Sequence, residues 1–225
     1  MPTKKNNNSL WFLFGASALS IALSYVPLAW VIVYPIRLFV TFVHEGGHAL
    51  AAILTLGDVD SLHVYLDASG TTLTRGGLGI AIASAGYLTS TVFGAALLIL
   101  CSQAKFAKAA LTVSAGLVLV TAFLAGDTVT LFMGIVLVLV LVGVAIMASQ
   151  DFAHFLISFL AVQCCLNAFL DLRTLFFIST TTTAHSDAAN MAQMTPFPAT
   201  FWAVFWLALS AIALLCAVRS YLRNL

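Results

Sequence analysis

Apolar residues in this chain fall in long, nearly unbroken runs separated by short polar breaks. The runs cover residues 10–25, 28–54, 78–101, 109–125, 129–147, 153–178 and 198–219. The breaks are Ser102 to Lys108, Gly126-Asp127-Thr128, Ser149 to Asp151 and Ser179 to Pro198. A helix that crosses a bilayer needs about 20 apolar residues. The pattern therefore predicts an all-α polytopic membrane helix bundle with six or seven spans. The count turns on 10–54, where the first run is short and Pro27 and Pro35 are positioned to kink the chain or turn it back. One stretch follows a different rule. After Gly57, the segment Ser61-Leu62-His63-Val64-Tyr65-Leu66 alternates, Ala68-Ser69-Gly70 reads as a turn, and Thr71-Thr72-Leu73-Thr74 follows. That predicts a small β-hairpin directly after the second run.

Composition strengthens the membrane assignment. The chain has 225 residues, of which 62% are hydrophobic and 8% charged, with mean hydropathy +1.07. Soluble domains carry about 25% charged residues. The net charge of +1 leaves no basic face for nucleic acid. No repeat, low-complexity tract or domain boundary interrupts residues 1–225, which read as a single integral membrane domain. The bilayer is its expected surroundings, with the cell membrane as the expected location. Lys4 and Lys5 precede a first run with no cleavage site leading into a polar mature region, which reads as an uncleaved anchor. Cys101, Cys164, Cys165 and Cys216 sit in apolar stretches without a C-x-x-C pair, and read as small packing residues. Positive charges cluster at Lys4 and Lys5, at Lys105 and Lys108, and at Arg219 and Arg223. The positive-inside rule places all three on one face for six crossings, and the first opposite the others for seven.

The candidate chemistry lies in the second run. His44-Glu45-Gly46-Gly47-His48 stands between Ile36-Arg37-Leu38-Phe39-Val40-Thr41-Phe42-Val43 and Ala49-Leu50-Ala51-Ala52-Ile53-Leu54. It contains the chain's only glutamate and two of its five histidines. On a helix, residues i and i+4 share a face, so His44 and His48 can grip one zinc ion. Glu45 follows the first of them, where it can act as general base toward a water at the metal. Three polar side chains on one turn of a lipid-embedded helix are costly and call for a function. Gly46 and Gly47 weaken the helix but let another backbone approach closely, or leave room beside a metal for an extended substrate.

Catalytic zinc takes three protein ligands and keeps one position open. Oxygen and nitrogen donors are few. Asp58, Asp60 and Asp67 lie in the hairpin region, Asp127 and Asp151 at breaks, and His154 just beyond the second of these. Asp171 is set apart by lying inside the apolar run Cys165-Leu166-Asn167-Ala168-Phe169-Leu170-Asp171-Leu172, with Asn167 one turn before it on the same face. A carboxylate there points into the bundle, and Asp171 is the preferred third ligand. The plain structural alternative is an ion pair with Arg37 or Arg173. The second candidate is Asp187 in His185-Ser186-Asp187, where Ser186 or Asp187 can instead cap a short helix over Ala188-Ala189-Asn190-Met191-Ala192.

With these residues in view, the chain resembles the site-2 protease family of intramembrane zinc metalloproteases, and most closely its compact M50B-like branch. Phe42-Val43-His44-Glu45-Gly46-Gly47-His48-Ala49 matches that family's apolar-flanked H-E-x-x-H. Arg75-Gly76-Gly77, Ala85-Gly86-Tyr87-Leu88 with Phe93-Gly94-Ala95-Ala96-Leu97-Leu98, and Ser186-Asp187-Ala188 resemble further parts of the branch. The family's third ligand is an aspartate in a Leu-Asp-Gly motif. Leu170-Asp171 matches it, with Leu172 in place of the glycine. The resemblance implies a Zn2+-dependent intramembrane endopeptidase, with Glu45 catalytic and His44, His48 and Asp171 on the metal, acting on a transmembrane protein or peptide. The alternative is a catalytically inactive membrane scaffold, chaperone or metal-binding or transport protein on the same fold.

Overall fold

The computed structural model describes the backbone of residues 30–178 and 186–223, with Gly15, and the side chains of residues 33–166 and 186–223. Residues 10–14 and 16–25, Pro27, the Thr180–Thr183 tract and His185 lie outside the described residues. Helix α1 spans Trp30–Leu54. A hairpin follows, with β1 at Asp58–Val64 and β2 at Gly70–Arg75. Helix α2 is Gly79–Leu100, and a single 3-10 turn at Ala104–Phe106 leads into α3 at Ala107–Ala122. Then come α4 at Thr128–Met147, α5 at Gln150–Ile178, the short α6 at Asp187–Met194 and α7 at Ala199–Arg223.

The chain is mostly helical because lipid offers a backbone no hydrogen-bond partners, and a helix satisfies its own. Four helices among the described residues are long and apolar enough to cross a membrane: α2, α3 counted from Ala104, α4 and α7. Of the expected six or seven spans, the described residues supply these four candidates. Helix α1 runs continuously through Pro35, so that proline neither breaks the run nor turns it back. At about 1.5 Å per residue its 25 residues reach about 37 Å. Helices α1 and α5 pack among the four, α1 against α2, α3 and the hairpin, and α5 against α2, α3 and α7.

One buried cluster joins Phe39, Phe42 and Val43 of α1 to Leu98 of α2, Leu111 and Val118 of α3, Leu137 of α4 and Ile157 of α5. Between lipid-embedded helices the glue is close packing and not expulsion of water. Gly94 illustrates it, since a Cβ there would lie 2.6 Å from the Ala161 carbonyl of α5. Thr91 and Ser210 hydroxyls, 2.7 Å apart, link α2 to α7. His154 is fully buried with its Nε2 2.7 Å from the Cys101 carbonyl, tying α5 to the end of α2. Cys101, Cys164 and Cys165 are buried as expected, whereas Cys216 is exposed on α7. A second, smaller cluster joins Ala83 and Tyr87 of α2 to Ala188 and Met191 of α6 and Ala203 and Trp206 of α7. It is what seats α6 against the bundle.

The hairpin pairs antiparallel from Asp58 with Arg75 to Val64 with Gly70, and slips register at Asp60. Its tip turns at Ala68, which takes φ +65°. Asp67 accepts from the Ser69 hydroxyl and N–H, which holds its carboxyl below the usual range. The chain leaves the hairpin through Gly76 and Gly77, both at φ +72°, a left-handed pair that costs glycine little. The outer edge of β1 is covered by the turn between α3 and α4. The Leu62 N–H donates to the Leu124 carbonyl and the Gly126 N–H to the Leu62 carbonyl, each at 2.9 Å.

Candidate metal centre

Helix α1 turns a different residue of His44-Glu45-Gly46-Gly47-His48 toward each of its neighbours, as a 100° step per residue requires. His44 and His48 face α2 and α6. Glu45, with Thr41 one turn before it, faces the hairpin. Gly46 meets α3, where a Cβ would fall 2.3 Å from Thr121 Cγ2, and Gly47 meets α2, where a Cβ would fall 2.7 Å from the Ala85 carbonyl. The two glycines thus serve close helix approach. Gly47, with Ala85 and Thr89, also borders an open groove between α1 and α2.

His44 Nε2 lies 3.1 Å and His48 Nε2 3.3 Å from Asp187 Oδ2. The three ligand atoms all fall within 4.8 Å of one another. Zinc bonds of about 2.0–2.1 Å in a tetrahedron set ligand atoms roughly 3.3 Å apart, so the two His–Asp187 spacings match its edges. His48 Nδ1 is 2.6 Å from the Ile82 carbonyl. A proton on Nδ1 donated to that oxygen leaves Nε2 with its lone pair toward the site. The His44 ring stands edge-on to His48 and to Tyr87, with 4.8 Å between centroids in each case. Tyr87 in turn stacks on Trp206 at 4.7 Å. Gly86 of α2 faces the imidazoles, and a Cβ there would lie 2.4 Å from His44 Nε2 and 2.5 Å from His48 Nε2. Two imidazoles and a carboxylate converging in a cradle that any side chain at 86 would fill are a donor set suited to zinc.

Asp187 reaches the histidines because it begins α6. The Ser186 hydroxyl caps that helix, accepting from the Ala189 N–H at 3.2 Å, and Ala188 and Met191 are fully buried against α2 and α7. Ser186 therefore takes the cap, and Asp187 is turned inward. Asp171 lies in α5 beyond the residues whose side chains are described. Among the described residues the carboxylate beside His44 and His48 is Asp187.

Glu45 is 5% exposed. Its Oε2 accepts a 2.7 Å hydrogen bond from the Thr72 hydroxyl of β2. Thr72, Gly86 and the Ile82 carbonyl escape a reading by residue type. Gly86 lies in the quoted Ala85-Gly86-Tyr87-Leu88 stretch, but nothing in the sequence marks Thr72 beyond its place on the hairpin.

The other candidate donors lie elsewhere. Asp60 pairs with Arg75 at the hairpin irregularity, Asp67 closes the hairpin turn, and Asp151 is exposed in the first turn of α5. Asp127 caps α4. The Thr130 N–H at 2.8 Å, the Thr130 hydroxyl at 2.8 Å and His63 at 2.7 Å hold its carboxyl down at about 2. His63 also meets Ser61 at 3.0 Å, and the Val64 N–H donates to Thr130 Oγ1 at 2.9 Å. This network fastens β1 to the start of α4.

No curated protein and no solved structure matches the chain. A family model described as Peptidase M50B-like matches residues 14–217, taking in the H-E-x-x-H helix, the hairpin and Asp187. By that match the chain belongs to the peptidase M50B-like family.

Proposed function

We propose that the protein is a zinc-dependent intramembrane endopeptidase, with the metal held by His44, His48 and Asp187 and with Glu45 as general base. The observation that carries this is the convergence of both Nε2 atoms on the Asp187 carboxylate, on the helical turn that also bears the chain's only glutamate. Zinc bound there supplies a Lewis acid for the scissile carbonyl. Glu45 takes the proton from the attacking water and returns it to the departing amine. Its burial and its hydrogen bond keep the carboxylate aimed as charge moves.

A substrate helix shields its own peptide bonds, so it must unwind locally before attack. The hairpin offers such a segment a place. Among the described residues the sheet has two strands, and β1's outer edge is already covered by the α3–α4 turn, which leaves the edge of β2 for an added strand. An open groove of about 440 Å³ between α1 and α2, lined by Leu50, Leu54, Ile80, Ala81 and Leu88 beside Gly47, suits the apolar flank of a membrane substrate.

Purified protein in lipid vesicles, supplied with a model transmembrane substrate, tests the reading. Glu45→Gln is expected to keep stoichiometric zinc and lose about 10²–10⁴-fold in rate, the scale of general base catalysis. Zinc retention with undiminished cleavage would remove Glu45 from the mechanism. Metal analysis decides the ligands. His44→Ala and Asp187→Ala are expected to lose zinc and Asp171→Ala to keep it. The converse pattern for the two aspartates would give the third position to Asp171.

A further inference from the structure

Glu45 is reached by the hairpin as well as by its own helix. The Thr72 hydroxyl stands 2.7 Å from Glu45 Oε2 and 3.2 Å from the Glu45 main-chain oxygen. A carboxylate only accepts, so the hydroxyl donates, and the shorter contact goes to the charged oxygen. Bonds of this kind are shorter and roughly twice as strong as those between neutral groups. The other carboxylate oxygen is confined by Gly70, where a Cβ would lie 2.6 Å from Oε1 and 2.7 Å from Cγ of Glu45. One turn earlier, the Thr41 hydroxyl donates to the Ala68 carbonyl at 2.7 Å. Thr41 and Glu45 thus form one ridge of α1, and the hairpin is docked along it. Behind the hairpin, the His63–Asp127–Thr130 network and the two Leu62 backbone bonds prevent it from lifting away.

A glutamate has three rotatable side-chain bonds, and one facing a water-filled site would sample many placements. Here one oxygen is bonded and the other is walled by a glycine backbone. We propose that Thr72 is the positioning residue for Glu45, and that the hairpin holds the general base in its working orientation. This rests on the reading of Glu45 as the base. A purely structural threonine, present only to satisfy a buried carboxylate, would affect stability without separating kcat from KM.

Thr72→Val keeps the shape and removes the donor, whereas Thr72→Ser keeps the donor. In the vesicle assay, Thr72→Val is expected to lower kcat roughly ten- to a hundredfold, the scale of a misplaced catalytic group, with KM and zinc content unchanged. Thr72→Ser should stay near wild type. A valine variant with wild-type kcat, or a serine variant that falls as far as the valine one, overturns the proposal. A thermal-unfolding cycle needs no activity. Thr72→Val should lower the Tm more in the Glu45 protein than in the Glu45→Gln protein, because the charged acceptor is gone from the second. Equal shifts overturn the contact itself. Wild-type protein that does not cleave would overturn the protease reading and the positioning role of Thr72 together. Cleaving wild type with an unaffected valine variant would overturn Thr72 alone.

Discussion

Gly86 has no side chain, and the two imidazoles occupy the volume a side chain would fill. Its substitution therefore tests the proposed metal centre without replacing any donor residue. With an added Cβ 2.4 Å from His44 Nε2 and 2.5 Å from His48 Nε2, the rings must swing or α1 and α2 must part. Both moves would pull the two Nε2 atoms away from Asp187 Oδ2. Gly86→Ala is expected to lose zinc as completely as His44→Ala. Gly116→Ala is the control, since nothing lies within 4 Å of a Cβ there. Metal analysis of the two proteins checks this, and zinc retained in Gly86→Ala would mean that the metal does not lie between these rings. The same residue shows where reading by residue type stops. His44, Glu45 and His48 announce themselves, because charged and imidazole groups are rare in an apolar run. Gly86 and Thr72 matter through distances set by chain segments far away in sequence, and small or hydroxyl residues are too common in membrane helices to stand out.

At the level of elements, the runs of apolar residues marked the helices well. The run 129–147 became Thr128–Met147, and 78–101 became Gly79–Leu100. The hairpin was equally legible from its alternation and its turn residues. Less visible was what the hairpin is fastened to, because the Leu62 bonds to Leu124 and Gly126 and the bond of His63 to Asp127 join segments more than 60 residues apart. Asp187 is hard to weigh from the sequence for a related reason. A polar residue before a short helix reads as a cap, and only the packing of Ala188 and Met191 shows that Ser186 does the capping while Asp187 turns inward. The fastening makes a pH prediction. Hydrogen bonds from Thr130, then His63, depress the Asp127 carboxyl to about 2 from an ordinary 3.8. A depressed carboxyl adds stability that is complete above the unfolded value and lost as pH falls through the folded one. Asp127→Asn should therefore melt below wild type at neutral pH. The gap should close as pH drops from about 4 toward about 2. Melting curves of the two proteins across that range check it, and a gap that persists unchanged at the acid end would show that the ionised carboxylate is not what fastens the hairpin.

For the whole molecule, charge and helix order together constrain how the chain threads the membrane. Lys105 lies in the turn between α2 and α3 and Lys108 in the first turn of α3, and Arg219 and Arg223 lie at the end of α7. Four long helices, α3, α4, α5 and α7, separate the two clusters. If each crosses once, the clusters share a face, as the positive-inside rule asks. Three of the four have the length and composition to cross. The fourth, α5, has 29 residues, about 43 Å at the helical rise, and carries Asp171 along its length. The turn between α3 and α4 must then lie on the opposite face, and the hairpin goes with it, because Leu62 is hydrogen-bonded to that turn. The metal centre would therefore open toward the face away from the lysines. Single cysteines in a background with Cys101, Cys164, Cys165 and Cys216 replaced can read this out. Gln103→Cys and Leu222→Cys should label from one side of sealed vesicles with a membrane-impermeant reagent, and Phe123→Cys from the other. Positions 103 and 222 labelling from opposite sides would mean that one of the four helices does not cross, and α5, with its carboxylate, would be the one to examine first.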